Sequence, residues 1–309
     1  MSKLTATEKN VLQMVADIEG VPTEGAYNVR VNGESVGRQS TKNITVAPNE
    51  AGNGLVVHIA PETKNEVVHI PVVISESGLE DLVYNDFYIG ENADVIIIAG
   101  CGIHNSGHHR SQHDGIHTFH VGVGARVRYS EKHYGAGDGD GERILNPVTV
   151  VHLAEDSTLE MESVQIEGVT STKRETKGIL GDNATLIVKE KLMTSGHQYA
   201  ETFFDVQLNG ENCSTTVSSR SVAKDESKQV FLSKIDGNNA CAGHSECDAI
   251  IMDNACVQAI PEVTANHVDA SLIHEAAIGK IAGEQIVKLL TLGLDEESAE
   301  AQIINGFLK

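Results

Sequence analysis

Short β-branched runs separated by turn residues fill most of the chain. Four clear examples are residues 56–59, 72–74, 96–98 and 148–151. Alternating runs of this kind, bounded by Gly, Asn and Asp, are typical of β-strands. We therefore predict a mainly β core over residues 27–270. An N-terminal helical segment, 1–26, and a C-terminal helical segment, 271–309, are predicted to flank it.

Apolar residues recur at helical spacing at both ends of the chain. Near the start, Val11 and Val15 follow a candidate N-cap at Thr7. Near the end, residues 284–292 form an amphipathic stretch, and Asp295 is placed to N-cap a second helix. Two roles remain open for these helices, because helices often cap the exposed ends of repetitive β folds and also dock partner proteins.

A weak internal repeat runs through the β region. In each unit a turn with Gly, Asn or Asp precedes a small residue and then an alternating strand. The small residues are Ala93, Ala125, Ser157, Ala184, Cys213 and Ala255, at spacings of 32, 32, 27, 29 and 42. Recurrence of this kind indicates a solenoid or propeller. Units without helices stack best as parallel rungs of a β-helix whose corners use left-handed Asn or Asp, and a β-sandwich is the alternative.

Charge and cysteine content limit the classes of partner. The 44 acidic and 23 basic residues give a net charge of −21. Such a chain repels phosphate backbones and anionic lipids, so we predict no nucleic-acid or membrane partner. The N-terminus lacks the apolar stretch of a signal peptide, and the five cysteines form an odd set without a zinc-type CxxC pair. These features predict a reduced, cytoplasmic protein.

The most unusual stretch is residues 101–120, which hold one cysteine and six histidines. The histidines are His104, His108, His109, His113, His117 and His120. Imidazole and thiolate are common zinc and iron ligands, so one interpretation is a metal site. The other is a polar surface or subunit contact, since no known zinc spacing matches. Cys101 lies between two glycines after an apolar strand, and we expect a turn there that leaves its sulfur accessible.

A second group of candidate residues lies near the C-terminal end. Strand alternation places Cys247 on one face with Ala249, either as a core cysteine or as a ligand. His274 and Glu275 are adjacent, so in a strand they point to opposite faces. Only one of them can then join Cys247 unless a second chain supplies further ligands. The alternative for Glu275 is an acid at the start of a helix.

Ordered matches in this region carry a family resemblance. They are residues 246–253, 261–262, 274–281, 284–285, 293–299 and 304–307, with looser matches at 99–101, 117 and 127–130. Over roughly residues 80–309 the chain resembles the SufB/SufD family of iron–sulfur cluster assembly proteins. The resemblance implies a right-handed parallel β-helix core and dimerisation through its last rungs. It also implies docking of an ABC-type ATPase, SufC, on the C-terminal helices.

The resemblance also implies roles for single residues. Cys247 and Glu275 match SufB positions implicated in cluster assembly, and Cys101 matches a cysteine implicated in receiving sulfur. We expect His274 to join them across a twofold axis, where two chains build a transient iron–sulfur cluster. A thiolate mixed with carboxylate or imidazole should release a cluster more readily than four cysteines. A sulfur-donor protein and apo iron–sulfur proteins are the further implied partners.

The expected function is therefore a non-enzymatic assembly scaffold. The chain has no GxxxxGK[ST] nucleotide motif, so we expect it to depend on a separate ATPase. It is shorter than the usual SufB but combines a SufB-like Cys247–Glu275 pair with its own His274, so we expect one chain to play both roles as a homodimer. One alternative is a zinc- or iron-dependent metalloenzyme that uses residues 104–120. Another is a β-helix that only mediates assembly. The cluster type, flavin binding and pairing with a different subunit stay open.

Overall fold

The computed structural model describes residues 4–309, so residues 1–3 of the predicted N-terminal segment lie outside it. The chain is 57% strand and 10% helix and forms a parallel β-solenoid of about 8 turns. One helix lies at its N-terminus and two lie at its C-terminus. The predicted mainly β solenoid with helical ends is confirmed.

Three helices and 21 strands follow one another in the described residues. The helices are α1 (Ala6–Ala16), α2 (Gly283–Thr291) and α3 (Glu296–Phe307). The strands are β1 (Ala26–Val31), β2 (Glu34–Gln39), β3 (Ile44–Pro48), β4 (Gly54–Ile59), β5 (Lys64–His69), β6 (Val72–Ile74), β7 (Glu80–Ile89), β8 (Asp94–His104), β9 (Ser111–Val121), β10 (Arg126–Ala136), β11 (Arg143–Leu145), β12 (Val148–Leu153), β13 (Thr158–Glu167), β14 (Ser171–Leu180), β15 (Thr185–Thr194), β16 (Tyr199–Leu208), β17 (Ser214–Ala223), β18 (Lys228–Gly237), β19 (Ala242–Ile251), β20 (Cys256–Ala265) and β21 (Ser271–Gly279).

The strands form two sheets that enclose one core. Sheet A has the order β2-β1-β5-β8-β10-β13-β15-β17-β19-β21, and sheet B has the order β20-β18-β16-β14-β11-β9-β7-β4-β3. Inward side chains of successive rungs stack on one another, as the rings of Phe87 and Phe119 do at a centroid distance of 4.5 Å. Full burial of each such ring contributes about 1.5–3 kcal/mol to folding. The core therefore lies along the solenoid axis.

The corners before the sheet A strands explain the sequence repeat. The residues with left-handed backbone there are Asn92, Gly124, Asp156, Asn183 and Asn212, with φ between 54° and 66°. The small residue after each of them is buried, because a larger side chain would not fit inside the corner. Ala255 belongs instead to the opposite corners, where Asp225 and Asp253 are left-handed. The spacing of 42 therefore joins two different series, and Cys241 is the true successor of Cys213.

The two ends of the solenoid differ. At the N-terminal end, the antiparallel pairs β1–β2 and β3–β4 extend the two sheets beyond the first parallel rung. At the C-terminal end, β20 and β21 are the last strands of their sheets within residues 4–309. The parallel ladder thus ends there on two open strand edges.

The helices do not cap these ends, so the capping alternative does not hold. Helix α1 packs its Val11 and Val15 against the outer face of β8. Its N-cap is Thr5 rather than Thr7, and the Thr5 side chain accepts a hydrogen bond from the Glu8 amide. Helix α3 packs Ile304 and Leu308 against the outer flank of β17. Both helices bury their apolar faces on the side of the solenoid because outward apolar residues are available there.

The last strand begins where the C-terminal helical segment was predicted to begin. Residues Ser271–Gly279 pair in parallel with β19, and helix starts only at Gly283. Pairing with β19 satisfies the backbone of this stretch, which favours strand over helix. Asp295 caps α3 as predicted, since its side chain accepts from the Ser298 amide at 2.7 Å. Within residues 4–309, every helix is too short or too polar to cross a bilayer.

Candidate functional site

Cys247 lies in β19 with its side chain toward the core. It is only 1% exposed and stands opposite Ser219 of β17 and Ala276 of β21. Ala249 shares its face, as strand alternation predicts. Burial raises the pKa of the Cys247 thiol to about 12, and the charges of Glu190 and Asp248 act in the same direction. The thiol is therefore protonated at neutral pH in this state.

His274 and Glu275 lie in the open strand β21 and point to opposite faces. His274 stands opposite the fully buried Ser245, so it shares the inward face with Cys247. Glu275 stands opposite Glu246 on the outward face. The predicted opposite orientation is confirmed. The alternative of a helix start at Glu275 is wrong, because the strand continues to Gly279.

The imidazole of His274 is available as a ligand. Its Nδ1 atom is buried and has no hydrogen-bond partner among the described residues. Burial, together with the nearby His244, lowers the pKa of His274, so the ring is neutral at pH 7. A neutral imidazole with an unengaged nitrogen fits the requirements of iron ligation.

The outward face beside Glu275 is rich in acids. His244 Nε2 lies 3.9 Å from Glu275 Oε2, and Glu246 and Asp248 follow on the same face of β19. Burial, followed by the hydrogen bond and charge of Glu246, raises the pKa of Asp248. Sequence reasoning missed this group, although the alternation of His244, Glu246 and Asp248 around Cys247 was the available signal.

The open end also exposes apolar side chains. On β20 and β21 these are Ile260, Val263, Ile273 and Ile278. Helix α2 buries none of its residues and exposes Val287 and Leu290. Exposed apolar residues beside unpaired strand edges mark an interaction surface.

Cys101 lies in the middle of β8, not in a turn, so the predicted accessibility of its sulfur is wrong. Its side chain points into the core and is 5% exposed. Gly100 and Gly102 face outward, and an added Cβ at either position would overlap Val15 or Val11 of α1. The two glycines therefore let a helix lie directly on the sheet. Burial, and then the charge of Glu131, raises the pKa of Cys101 well above its usual range.

The six clustered histidines separate onto different surfaces. His113 and His117 point inward from β9, whereas His120 points outward and stacks on Tyr88 and His152. The other three, His104, His108 and His109, lie at or beyond the end of β8. There His108 pairs with Asp140, and His104 forms a hydrogen bond with Ser106. Within residues 4–309 no group of three or more His, Cys, Asp or Glu is placed to hold a metal ion.

A chain of buried polar contacts runs along the core of the solenoid. His117 Nδ1 lies 2.8 Å from the Tyr129 hydroxyl, which donates to Glu131 at 3.1 Å. Glu131 pairs with Arg174, whose Nε lies 3.7 Å from Glu190. Although burial opposes ionisation, Arg174 and then His133 hold the pKa of Glu131 well below its usual range.

This polar chain ends beside Cys247. Ser219 donates to Glu190 at 2.7 Å and stands opposite Cys247 in the next strand. Sequence reasoning missed these residues, because charged side chains in alternating strands are ordinarily taken as outward-facing. The interior thus joins the rungs near Cys101 to the rung of Cys247 through hydrogen bonds and the ion pairs of Arg174.

Comparison with known proteins identifies the family of this chain. A sequence model described as "SUF system FeS cluster assembly, SufBD core domain" matches residues 83–307. An iron–sulfur cluster assembly SufBD family protein of Methanocaldococcus jannaschii is 28% identical over 250 residues, which is 78% of this chain and 76% of the relative. One from Methanothermobacter thermautotrophicus is 28% identical over 76% of this chain and 57% of the relative. One from Pyrococcus horikoshii is 25% identical over 88% of this chain and 83% of the relative. The chain belongs to the SufBD family of iron–sulfur cluster assembly proteins.

Proposed function

We propose that this chain is a scaffold subunit that builds a nascent iron–sulfur cluster where two copies meet. The observation that carries the proposal is the position of Cys247, one strand from the open edge β21. That edge strand brings His274 to the face of Cys247 and presents Glu275 on the other face. Within residues 4–309, a thiol, an imidazole and a carboxylate therefore lie at the end of the solenoid where β20 and β21 leave the ladder uncovered.

A second copy is the partner that suits this end. Unpaired edge strands associate readily with another edge, and Ile260 and Ile273 supply apolar contact area beside them. Under twofold symmetry each copy contributes its own Cys247, His274 and Glu275. The duplicated set then offers iron ligands from both faces of β21, which a single chain does not bring together.

In the proposed scaffold, the protonation state of the buried Cys247 thiol controls cluster binding. Iron–sulfur clusters bind thiolate, whereas the high pKa keeps Cys247 protonated until the edge strand moves. Helix α3 packs on Val222 of β17 and Ile250 of β19, the strand that holds Cys247. If a SufC-like ABC ATPase docks on α2 and α3, its conformational change would therefore be transmitted through α3 to the strands around the site.

Sulfur and cluster transfer complete the proposed role. Cys101 is the proposed acceptor of sulfur from a donor protein, and the polar core leads from its neighbourhood to Cys247. The mixed ligand set then allows the finished cluster to leave for apo iron–sulfur proteins. The proposed setting is the reducing cytoplasm.

A test of the shared site is to block the open edge without touching the ligands. We expect the double variant Ile260→Lys, Ile273→Lys to become monomeric, since lysines on edge strands oppose strand association. It should also lose bound iron and sulfide although Cys247 is intact. The matched control is Ile179→Lys, an exposed isoleucine in the middle of sheet B. A monomeric variant that keeps a full cluster would contradict the shared site.

A further inference from the structure

A polar cavity of about 200 Å³ opens at the N-terminal end of the solenoid. Both antiparallel hairpins line it, the β1–β2 pair with Asn28, Arg30 and Arg38, and the β3–β4 pair with Leu55. Asn85 of β7 completes the polar lining. This cavity lies at the opposite end of the molecule from Cys247.

The amide oxygens that line this cavity are already engaged. Arg30 donates two hydrogen bonds to Asp81, at 2.7 and 2.9 Å. Asn28 Oδ1 accepts from Ser35 at 2.6 Å, and Asn85 Oδ1 accepts from the Leu55 amide at 3.0 Å. The carboxylate in the lining belongs to the exposed Glu34, at the start of β2.

Two side chains that line the cavity still have N–H donors without a hydrogen-bond partner within residues 4–309. Arg38 forms no ion pair or side-chain hydrogen bond within residues 4–309, and neither does the Asn28 amide nitrogen. Hydrogen bonds from Arg30 and His113 hold the pKa of Asp81 well below its usual range although its burial opposes this, so Asp81 stays a paired anion. Unused N–H donors in a small cavity favour a small anionic ligand.

The side chain of Val72 connects this cavity to the surroundings of Cys101. Val72 lines the cavity, stands opposite Cys101 in the neighbouring strand, and packs with it in the same apolar cluster. Neighbouring strands are about 4.8 Å apart. From the outside of the sheet, α1 lies directly on Gly100 and Gly102 and blocks the approach. The cavity therefore offers a shorter approach to the buried Cys101 thiol than the helix-covered outer face of the sheet does.

We propose that this cavity receives the anionic terminal sulfur of a persulfide and presents it to Cys101 past Val72. This inference rests on the proposed role of Cys101 as sulfur acceptor. In the transfer, a new S–S bond forms between Cys101 Sγ and the terminal sulfur as the S–S bond of the donor breaks. The electron pair of the broken bond stays on the donor's remaining sulfur. That sulfur takes the proton that Cys101 gives up, so no external oxidant or reductant is needed.

The first test uses two alkylating reagents of similar size, anionic iodoacetate and neutral iodoacetamide, with peptide-resolved mass spectrometry. We expect Cys101 to favour iodoacetate relative to the exposed Cys256. In Arg38→Ala this preference should fall by about threefold, and Arg38→Lys should restore it. Arg128→Ala, which removes an exposed arginine of β10, should leave it unchanged. An unchanged preference in Arg38→Ala would overturn the cavity as the anion route.

The second test uses a low-molecular-weight cysteine persulfide and follows the mass gain of one sulfur atom on Cys101. The gain should slow in Arg38→Ala by the same factor and quicken in Val72→Ala, which removes the separating side chain. Wild-type rates in both variants would overturn the route while leaving Cys101 as acceptor. Wild-type protein without any gain on Cys101, but with cluster on Cys247, would overturn both the route and the acceptor role and leave the scaffold role standing.

Discussion

The two ends of the solenoid are built from the same kind of rung and behave in opposite ways. At the N-terminal end, the two hairpins cover the first parallel rung, and Arg30 is paired with Asp81 behind them. At the C-terminal end, β20 and β21 leave strand edges and isoleucines uncovered. A rung that is covered by a neighbouring rung is part of the stable core. A rung without such a neighbour exposes strand edges that pair readily with another chain.

The two proposed functional cysteines reflect this difference. Cys101 and Cys247 are both buried, inward-facing and protonated. Cys101 is enclosed within the N-terminal half, and the proposed route to it leads through a small cavity. Cys247 is enclosed by a single edge strand, so a partner that moves β21 can expose it.

The largest expected effect on stability comes from removing the cation of the buried ion pairs in the core. Arg174→Met should lower the free energy of unfolding by about 3–5 kcal/mol, because Glu131 and Glu190 would remain buried without their cation. Urea denaturation followed by circular dichroism measures the change. Arg128→Met, at an exposed position of β10, is the control and should shift stability by less than about 0.5 kcal/mol. Equal effects of the two variants would mean that the interior pairing does not distinguish the closed region.

A smaller effect should appear as the pH falls. Burial lowers the pKa of His117 to about 4, from the usual 6.5 of a histidine. The neutral folded form is therefore favoured above pH 6.5, and this stability is lost as the pH falls from 6.5 to 4, by about 3 kcal/mol in full.

Unfolding midpoints measured across that window test the His117 effect. His117→Gln should flatten the acid dependence, whereas His108→Gln, at an exposed loop position, should leave it unchanged. A His117→Gln profile that parallels the wild type would place the acid sensitivity elsewhere.

The smallest expected effect on stability concerns the C-terminal helix α3. Asp295→Ala removes the N-cap of α3 and should cost that helix about 1 kcal/mol. Hydrogen exchange should quicken over residues 296–307 while the global unfolding midpoint hardly moves. Asp295→Asn, which keeps a cap acceptor, should stay near wild type. A global loss of stability in Asp295→Ala would show that α3 is part of the closed core rather than a separable docking element.

Strand alternation and turn chemistry predicted much of the fold. They placed Cys247 and Ala249 on one face, put His274 and Glu275 on opposite faces, and identified the left-handed corners. Those features depend on neighbours in sequence. Near Gly100 and Gly102 the same reasoning failed, because the glycines serve a helix that lies about 85 residues earlier in the chain.

The polar core was missed for a similar reason. Glu131 and Arg174 are 43 residues apart and become partners only after the rungs stack. The apolar stripes of α1 and α3 likewise predicted helices but not the flank on which they pack. Local patterns fix which face a side chain takes, whereas the partner on that face depends on the register between rungs.

The most direct test of the account is the iron and acid-labile sulfide content of the proposed dimer. The protein is co-expressed with the proposed SufC-like ATPase and purified without oxygen as wild type, as Cys247→Ser and as Cys213→Ser, an equally buried corner cysteine. The account predicts iron and sulfide in equal amounts in the wild type and in Cys213→Ser, and neither in Cys247→Ser. Metal without sulfide, unchanged in Cys247→Ser, would contradict it.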